Sequence, residues 1–276
     1  MAPGFRSTPP TATWPELVQD VLLALPLGLL IGLSLGALGA GGSILTVPAL
    51  VLVLGQSPHE AAGTSLVVVG SIAATGAIEH RRRGSMRLRA GLAFAAAGII
   101  GSLVGSVLSV RTAPDVLALA FSAIMLVAAA MMWRDTRPHD TGDAGVASHA
   151  SLTTKITRTV IAGSVVGFLT GYFGIGGGFL AVPALTFALG VPITVAVGTS
   201  LLVIALNSAT ALAPRLGGDV IDWTITAAFV AGGVIGAFSG ARIAHRVAPA
   251  RLKRAFAIVV ACIAVILAVH AAAGLN

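Results

Sequence analysis

Charged residues are scarce in this sequence and are confined to a few short stretches. Asp, Glu, Lys and Arg make up 10% of the 276 residues, against about 25% in soluble domains. A helix needs roughly 20 mostly apolar residues to cross a bilayer. The sequence therefore predicts an all-α polytopic membrane protein. The stretches that lack all four charged residue types are 21–59, 61–78, 90–110, 116–133, 159–214, 223–241 and 255–276.

Cysteine and aromatic residues are also rare. The single cysteine, Cys262, lies within an apolar stretch, so the chain has no disulfide framework and no cysteine-based metal site. Aromatic residues make up 5% of the chain, and none is interleaved with a basic stripe, which argues against a nucleic-acid partner despite the net charge of +7. We expect no metal, no cofactor and no catalytic residues.

The sequence does contain a repeat at a constant offset of 135 residues. GALGAGGSILTVPAL (36–50) aligns with GYFGIGGGFLAVPAL (171–185), and the tetrapeptide GTSL occurs at both 63–66 and 198–201. Two ordered motifs at one offset indicate two related units. We therefore divide the chain into a disordered tail (1–16), a first membrane repeat (17–133), a cytoplasmic linker (134–154) and a second membrane repeat (155–276).

Each repeat is predicted to contain about five helical elements, of which the second is short. The short elements, 43–54 and 178–189, follow the glycine clusters and contain Pro48 and Pro183. A dozen helical residues extend about 18 Å, less than the ~30 Å hydrocarbon core. These elements either cross fully or form re-entrant hairpins with the helix before them. In the first repeat the five elements are about 17–38, 43–54, 59–79, 89–110 and 113–133.

The basic residues indicate that the two repeats have opposite orientations. Loop 79–89 has five Arg, but its counterpart 214–222 has one; the loop around 111–115 has one Arg, but its counterpart 242–254 has four Arg and one Lys. Since basic loops stay in the cytoplasm, we predict an inverted repeat in the cell membrane with both termini outside. Of the 17 Lys and Arg residues, those left outside are Arg6, Arg111 and Arg215.

The glycine clusters suggest where a substrate would bind. Inverted-repeat transporters hold their substrates near the midplane, at interrupted helices. Glycine N–H groups that precede a helix favour an anion. A simple bend sealed by protein is the alternative interpretation. The candidate substrate-binding residues of the two clusters are Gly39, Gly41, Gly42, Ser43, Gly174, Gly176, Gly177 and Gly178.

Polar residues of the third element in each repeat are further candidates for substrate binding. Thr64 and Ser65 recur as Thr199 and Ser200. Their hydroxyls either donate to substrate or bond back to a helix carbonyl one turn earlier. Asn207 follows Ser200 by two turns on roughly the same face, and either contacts substrate or makes an interhelical hydrogen bond.

The repeated pattern G-x-G-G-[GS]-x-L-x-V-P-A-L followed by G-T-S-L resembles the TauE/SafE family of sulfite or sulfonate exporters. The second copy, Gly174–Leu185 with Gly198–Leu201, carries the better match, because Ser43 replaces the third glycine in the first copy. The resemblance covers nearly the whole chain. It implies a multi-pass transporter of small sulfur-containing anions, and we expect a secondary transporter, acting as an exporter, that works by alternating access.

Other functions are compatible with parts of this pattern. A passive anion channel, or a carrier of another small organic anion, could use the same helix breaks. An intramembrane enzyme would need a histidine or an acid beside Ser65 or Ser200 to activate the hydroxyl. The sequence places none there convincingly, so we expect the protein not to be an enzyme.

Overall fold

The computed structural model describes residues 14–38, 43–134, 152–174, 178–189, 191, 193–216, 221–243 and 249–274. Within these ranges the chain forms helices and no strands. Residues 43–45 form a turn of 3-10 helix before the second helix, and another turn, Ala213–Arg215, extends the eighth helix. The α-helices are α1 (Trp14–Leu38), α2 (Thr46–Leu52), α3 (Pro58–Arg82), α4 (Leu88–Arg111), α5 (Pro114–Arg134), α6 (Leu152–Phe173), α7 (Gly178–Leu189), α8 (Ile193–Leu212), α9 (Trp223–Ile243) and α10 (Pro249–Gly274).

The helical membrane architecture expected from the sequence is confirmed. Among the described residues, six helices are long and apolar enough to cross a membrane by length and composition. Helices α2 and α7 are the short elements that follow the glycine clusters. Helix α1 begins at Trp14, inside the stretch 1–16 that we expected to be a disordered tail. Residues 1–13 and most of the predicted linker, 135–151, lie outside the described residues.

The start of α3 is fixed by a capping box that the sequence Ser57-Pro-His-Glu60 predicts. The Ser57 hydroxyl accepts a hydrogen bond from the Glu60 N–H (3.3 Å), and the Glu60 carboxylate accepts one from the Ser57 N–H (2.9 Å). Both backbone donors, which a helix N-terminus leaves without partners, are thereby satisfied. This cap sets the register of α3 and so the positions of Thr64 and Ser65.

Glycine stripes bring two pairs of parallel helices into backbone contact. Successive glycines of α1, Gly28 and Gly32, face Phe229 and Gly233 of α9, while Gly167 of α6 faces Gly98 of α4. A methyl group on Gly28, Gly32 or Gly167 would overlap a carbonyl oxygen of the facing helix. Such stripes permit close packing where lipid provides no hydrophobic driving force. Under the 135-residue shift, α1 corresponds to α6 and α4 corresponds to α9. Each packed pair therefore joins a helix of one repeat to a helix of the other.

The equivalent helices α3 and α8 pack against each other in opposite directions. Gly70 of α3 lies beside Ser208, and Gly76, further along α3, lies beside Leu201, which comes earlier in α8. Antiparallel packing of two equivalent helices is the arrangement that an inverted repeat requires, because the two-fold axis then lies in the membrane plane. The orientation of each repeat in the membrane stays a prediction.

Labelling of matched positions tests the inversion. Arg81 and Leu216 are equivalent under the 135-residue shift, and both are exposed. In a Cys262→Ala background, Leu216→Cys should react with an impermeant thiol reagent added to intact cells. Arg81→Cys should react only after the cells are permeabilised, because its loop carries the basic residues that stay in the cytoplasm. Reaction of both cysteines from the same side would show that the repeats are parallel.

Candidate functional site

One helix break contacts the GTSL tetrapeptide of the other repeat. Gly174 follows the last residue of α6 with a φ of 70°, a left-handed conformation that favours glycine at a helix C-terminus. The Ser65 hydroxyl donates a hydrogen bond to the Gly174 carbonyl and also contacts the Ala62 carbonyl at 3.2 Å. A Cβ on Gly174 would lie 2.6 Å from the Ala62 Cα. The break of the second repeat therefore rests on α3 of the first.

The structure describes only some of the remaining candidates from the two glycine clusters and the first GTSL copy. The Thr64 side chain is fully buried, and its hydroxyl has no hydrogen-bond partner among the described residues. Ser43 is fully buried, and Gly178 is the first residue of α7. The predicted site residues that lie outside the described residues are Gly39, Gly41, Gly42, Gly176 and Gly177.

The hydroxyls of the second GTSL copy are occupied by protein groups. The Thr199 hydroxyl donates to the Val195 carbonyl (2.6 Å) and accepts a hydrogen bond from the Arg87 N–H (3.1 Å). The Ser200 hydroxyl donates to the Val197 carbonyl at 2.8 Å. These are the bonds to an earlier helix carbonyl that the sequence left open as an alternative to substrate binding. Thr199 in addition satisfies the N–H of the residue that precedes α4.

The structure does not bring the two hydroxyl pairs together. Ser200 lies one residue before Leu201, at the level of Gly76 of α3. Ser65 is about 12 residues from that level, which corresponds to roughly 18 Å along the helix. The pairs therefore occupy opposite ends of the antiparallel α3 and α8, and a small anion cannot contact both at once.

Asn207 lies between these ends, near the middle of the span Val195–Arg215. Its side chain is fully buried, and neither its Oδ1 nor its Nδ2 has a hydrogen-bond partner among the described residues. The amide packs against Gly98 of α4, where a Cβ would lie 2.7 Å from Nδ2 and 2.9 Å from Oδ1. An amide buried without hydrogen bonds is costly, and the interhelical hydrogen bond considered from the sequence is not formed with any described residue.

A row of polar groups continues from Asn207 along the contact between α4 and α8. The Ser102 and Thr210 hydroxyls are 2.7 Å apart, and the Thr210 hydroxyl donates to the backbone carbonyl of Asn207 at 2.9 Å. The Ser106 hydroxyl donates to the Ala211 carbonyl at 2.7 Å and accepts a hydrogen bond from Arg215 Nε at 3.1 Å. We call Asn207, Thr210, Ser102, Ser106 and Arg215 the polar seam.

Arg215 is the functional candidate that sequence reasoning missed, because it was assigned only to an outside loop. It follows the charge-free stretch 159–214 and comes eight residues after Asn207, a spacing that returns to the same helix face. Ser102 and Ser106 are spaced by four residues on α4. Two polar stripes at helical spacing are the signal that could have identified the seam.

Comparisons with known proteins agree with this architecture. The sequence profile described as Sulfite exporter TauE/SafE matches residues 24–267. The chain belongs to the TauE/SafE family. A probable membrane transporter protein of Xylella fastidiosa (strain 9a5c) is 34% identical over 253 residues, which cover 90% of this chain and 95% of the relative.

More distant relatives of this TauE/SafE protein have similar names. The probable membrane transporter protein YdhB of Bacillus subtilis (strain 168) is 28% identical over 82% of this chain and 91% of its own length. The probable membrane transporter protein MJ0441 of Methanocaldococcus jannaschii is 27% identical over 70% of this chain and 73% of its own length. No solved structure matches the chain significantly. The protein is thus a multi-pass membrane transporter, and its family indicates no enzymatic activity.

Neighbouring hydroxyls of the first GTSL copy should respond differently to removal. Ser65→Ala leaves the buried Gly174 carbonyl without its donor, which should cost about 1–3 kcal/mol and lower the melting temperature of the purified protein. Thr64→Val removes a hydroxyl that has no described partner and keeps the side-chain shape, so its melting temperature should equal or exceed that of the wild type. An equal loss in both variants would show that Thr64 also holds the fold together.

Proposed function

We propose that this TauE/SafE protein is a secondary transporter that exports small sulfur-containing anions, such as sulfite or organosulfonates, by alternating access. The family supports membrane transport, and the chemistry of the described site supports an anion as the substrate. The polar seam offers hydroxyls, an amide and one guanidinium. Among the described residues, no group of acidic and histidine side chains is arranged to hold a metal ion.

The observation that carries the proposal is the unpartnered amide of Asn207. Both of its polar atoms are buried close to the middle of a membrane span, without a described partner. Polar groups held at membrane depth are expensive and typically mark a substrate pathway. A sulfite or sulfonate oxygen accepting a hydrogen bond from Nδ2 would offset part of that cost. The midplane position is also where inverted-repeat transporters bind their substrates.

Contacts at both ends of α8 support alternating access. At one end the Thr199 hydroxyl accepts a hydrogen bond from the Arg87 N–H, and at the other end Arg215 is only 3% exposed. Asn207 lies eight residues from Thr199 and eight from Arg215, and its side chain is fully buried, so the amide is shielded on both sides in this structure. A substrate can reach it only when one of these end contacts separates, which is the behaviour of a carrier.

Flux measurements in proteoliposomes test the substrate class and the transport mechanism together. Sulfite, thiosulfate, sulfoacetate, taurine and sulfate are offered separately to liposomes that contain the purified protein. We expect saturable uptake of at least one of the sulfur-containing anions, and faster uptake when the liposomes are preloaded with the same anion. Empty liposomes serve as the control.

Two results of this assay would contradict the proposal. Flux that rises linearly with concentration, without stimulation by preloaded anion, would identify a passive anion channel. Saturable transport of a small organic anion without sulfur, in the absence of transport of the whole sulfur-containing panel, would assign a different substrate class.

Removing the Asn207 side chain tests the role of the amide. Asn207→Ala should abolish most transport of the preferred anion. Its melting temperature should stay close to that of the wild type, because loss of an unpartnered amide offsets the small cavity that forms. Ser122→Ala is a matched control, since Ser122 is buried in α5 and donates to the Ala118 carbonyl at 2.8 Å. Normal transport by Asn207→Ala would exclude the amide from the substrate pathway.

A further inference from the structure

We infer that Arg215 supplies the positive charge that binds the transported anion at one end of the polar seam. The inference rests on the proposed anion transport and adds the group that selects for negative charge. Arg215 is the last residue of the 3-10 turn that extends α8. It is buried in the protein, with only 3% of its surface exposed.

The guanidinium is held by neutral oxygen atoms from three separate helices. Arg215 Nε donates to the Ser106 hydroxyl of α4 at 3.1 Å, and Nη2 donates to the Gly171 carbonyl of α6 at 3.1 Å. Nη1 contacts the His59 carbonyl of α3 at 3.4 Å. A guanidinium has five N–H donors, so these contacts leave two donors for another acceptor.

These contacts satisfy hydrogen bonds but do not neutralise the charge. Within the described part of the chain, no carboxylate forms a salt bridge with Arg215. A buried charge without a partner of opposite sign is strongly unfavourable, and buried charges in proteins are normally paired. An anion with several oxygen atoms fits this requirement, because a guanidinium can bind two of its oxygens at once.

Two unpartnered polar atoms on the helices that contact Arg215 support a ligand at this position. Ser109 is fully buried, and its hydroxyl has no described hydrogen-bond partner. It lies three residues beyond Ser106 on the same face of α4. His59 Nδ1 is likewise buried without a described partner, and it belongs to the residue whose carbonyl contacts Arg215. An oxyanion bound by Arg215 would give the Ser109 hydroxyl, and His59 Nδ1 in the tautomer that carries its proton there, an oxygen that accepts a hydrogen bond.

The position of Arg215 also connects the seam to the interrupted helix. Gly171, whose carbonyl accepts from Arg215, comes one turn before the break at Gly174. The arginine therefore lies at the same end of α8 as the Ser65 contact, about 12 Å along the helix from Asn207. An anion that enters at this end meets the guanidinium before it reaches the midplane amide.

Equilibrium binding of sulfite and of sulfoacetate to the purified full-length protein tests the inference. Arg215→Gln should weaken both affinities by about thirtyfold or more, as expected when one partner of a buried charge pair is removed. Arg215→Lys keeps the charge but loses the planar fork, and it should bind both anions more tightly than Arg215→Gln does. Arg111→Gln, an exposed arginine at the end of α4, makes the same change in net charge and should leave the affinities unchanged.

The possible results separate this inference from the proposed function. If the wild type binds none of the sulfur-containing anions, the proposed function and the inference both fail. If the wild type binds sulfite and Arg215→Gln binds it equally well, only the inference fails. Lower melting temperatures for both Arg215 variants with unchanged affinities would assign Arg215 to holding the helices together, and would also overturn it.

Two further variants keep the test decisive if Arg215→Gln does not fold. Ser109→Ala removes the unpartnered hydroxyl and should weaken sulfite binding severalfold, and an unchanged affinity would then overturn the inference. Asp219, which lies outside the described residues, is four residues from Arg215. If the double variant Arg215→Gln/Asp219→Asn regains wild-type affinity, Asp219 is the partner of Arg215 and no anion is needed there.

Discussion

The exclusion of water from the hydrocarbon core is the constraint on which the rest of this structure depends. Every backbone N–H and carbonyl at that depth needs a partner within the protein, and continuous helices provide it. Where a helix is interrupted, another side chain must supply the missing bond. The Ser65 hydroxyl does so for the carbonyl of Gly174. The same requirement explains why bare glycine backbones of α1 and α9 can be in contact, since their hydrogen bonds are already made inside each helix.

The polar side chains of the membrane region fall into two groups with different consequences. The hydroxyls of Thr199, Ser200 and Ser65 are bonded to backbone groups, so they stabilise the ends of α3 and α8. The Asn207 amide has no described partner, and the Arg215 guanidinium has only neutral ones. The first group accounts for the fold, whereas the second group remains available to a ligand. The two members of the second group, Asn207 and Arg215, lie at the two ends of the polar seam.

The sequence allowed the helices and their boundaries to be predicted because both depend on local properties. Charge-free stretches marked the long helices, and the Ser57–Glu60 pattern marked the start of α3. The sequence did not reveal that the two hydroxyl pairs, Thr64 with Ser65 and Thr199 with Ser200, are far apart. In two antiparallel equivalent helices, equivalent residues lie close together only near the symmetry axis. Arg215 was missed because charge counting treats every arginine in a connecting segment as exposed. Its guanidinium is held by one hydroxyl and two carbonyl groups from three different helices. A local sequence pattern does not show that these helices come together.

The backbone contacts of the glycine stripes also determine which parts of the molecule can move. Where Gly98 of α4 meets Gly167 of α6 there is no side chain between the helices to change rotamer, so the two helices are expected to behave as one rigid body. The contact between α3 and α8 is different, because the side chains of Leu201 and Ser208 lie between the two backbones. Interfaces of this kind accommodate small sliding displacements. We therefore expect sliding to occur between α3 and α8, and α8 is the helix that carries Asn207 and leads into the 3-10 turn with Arg215.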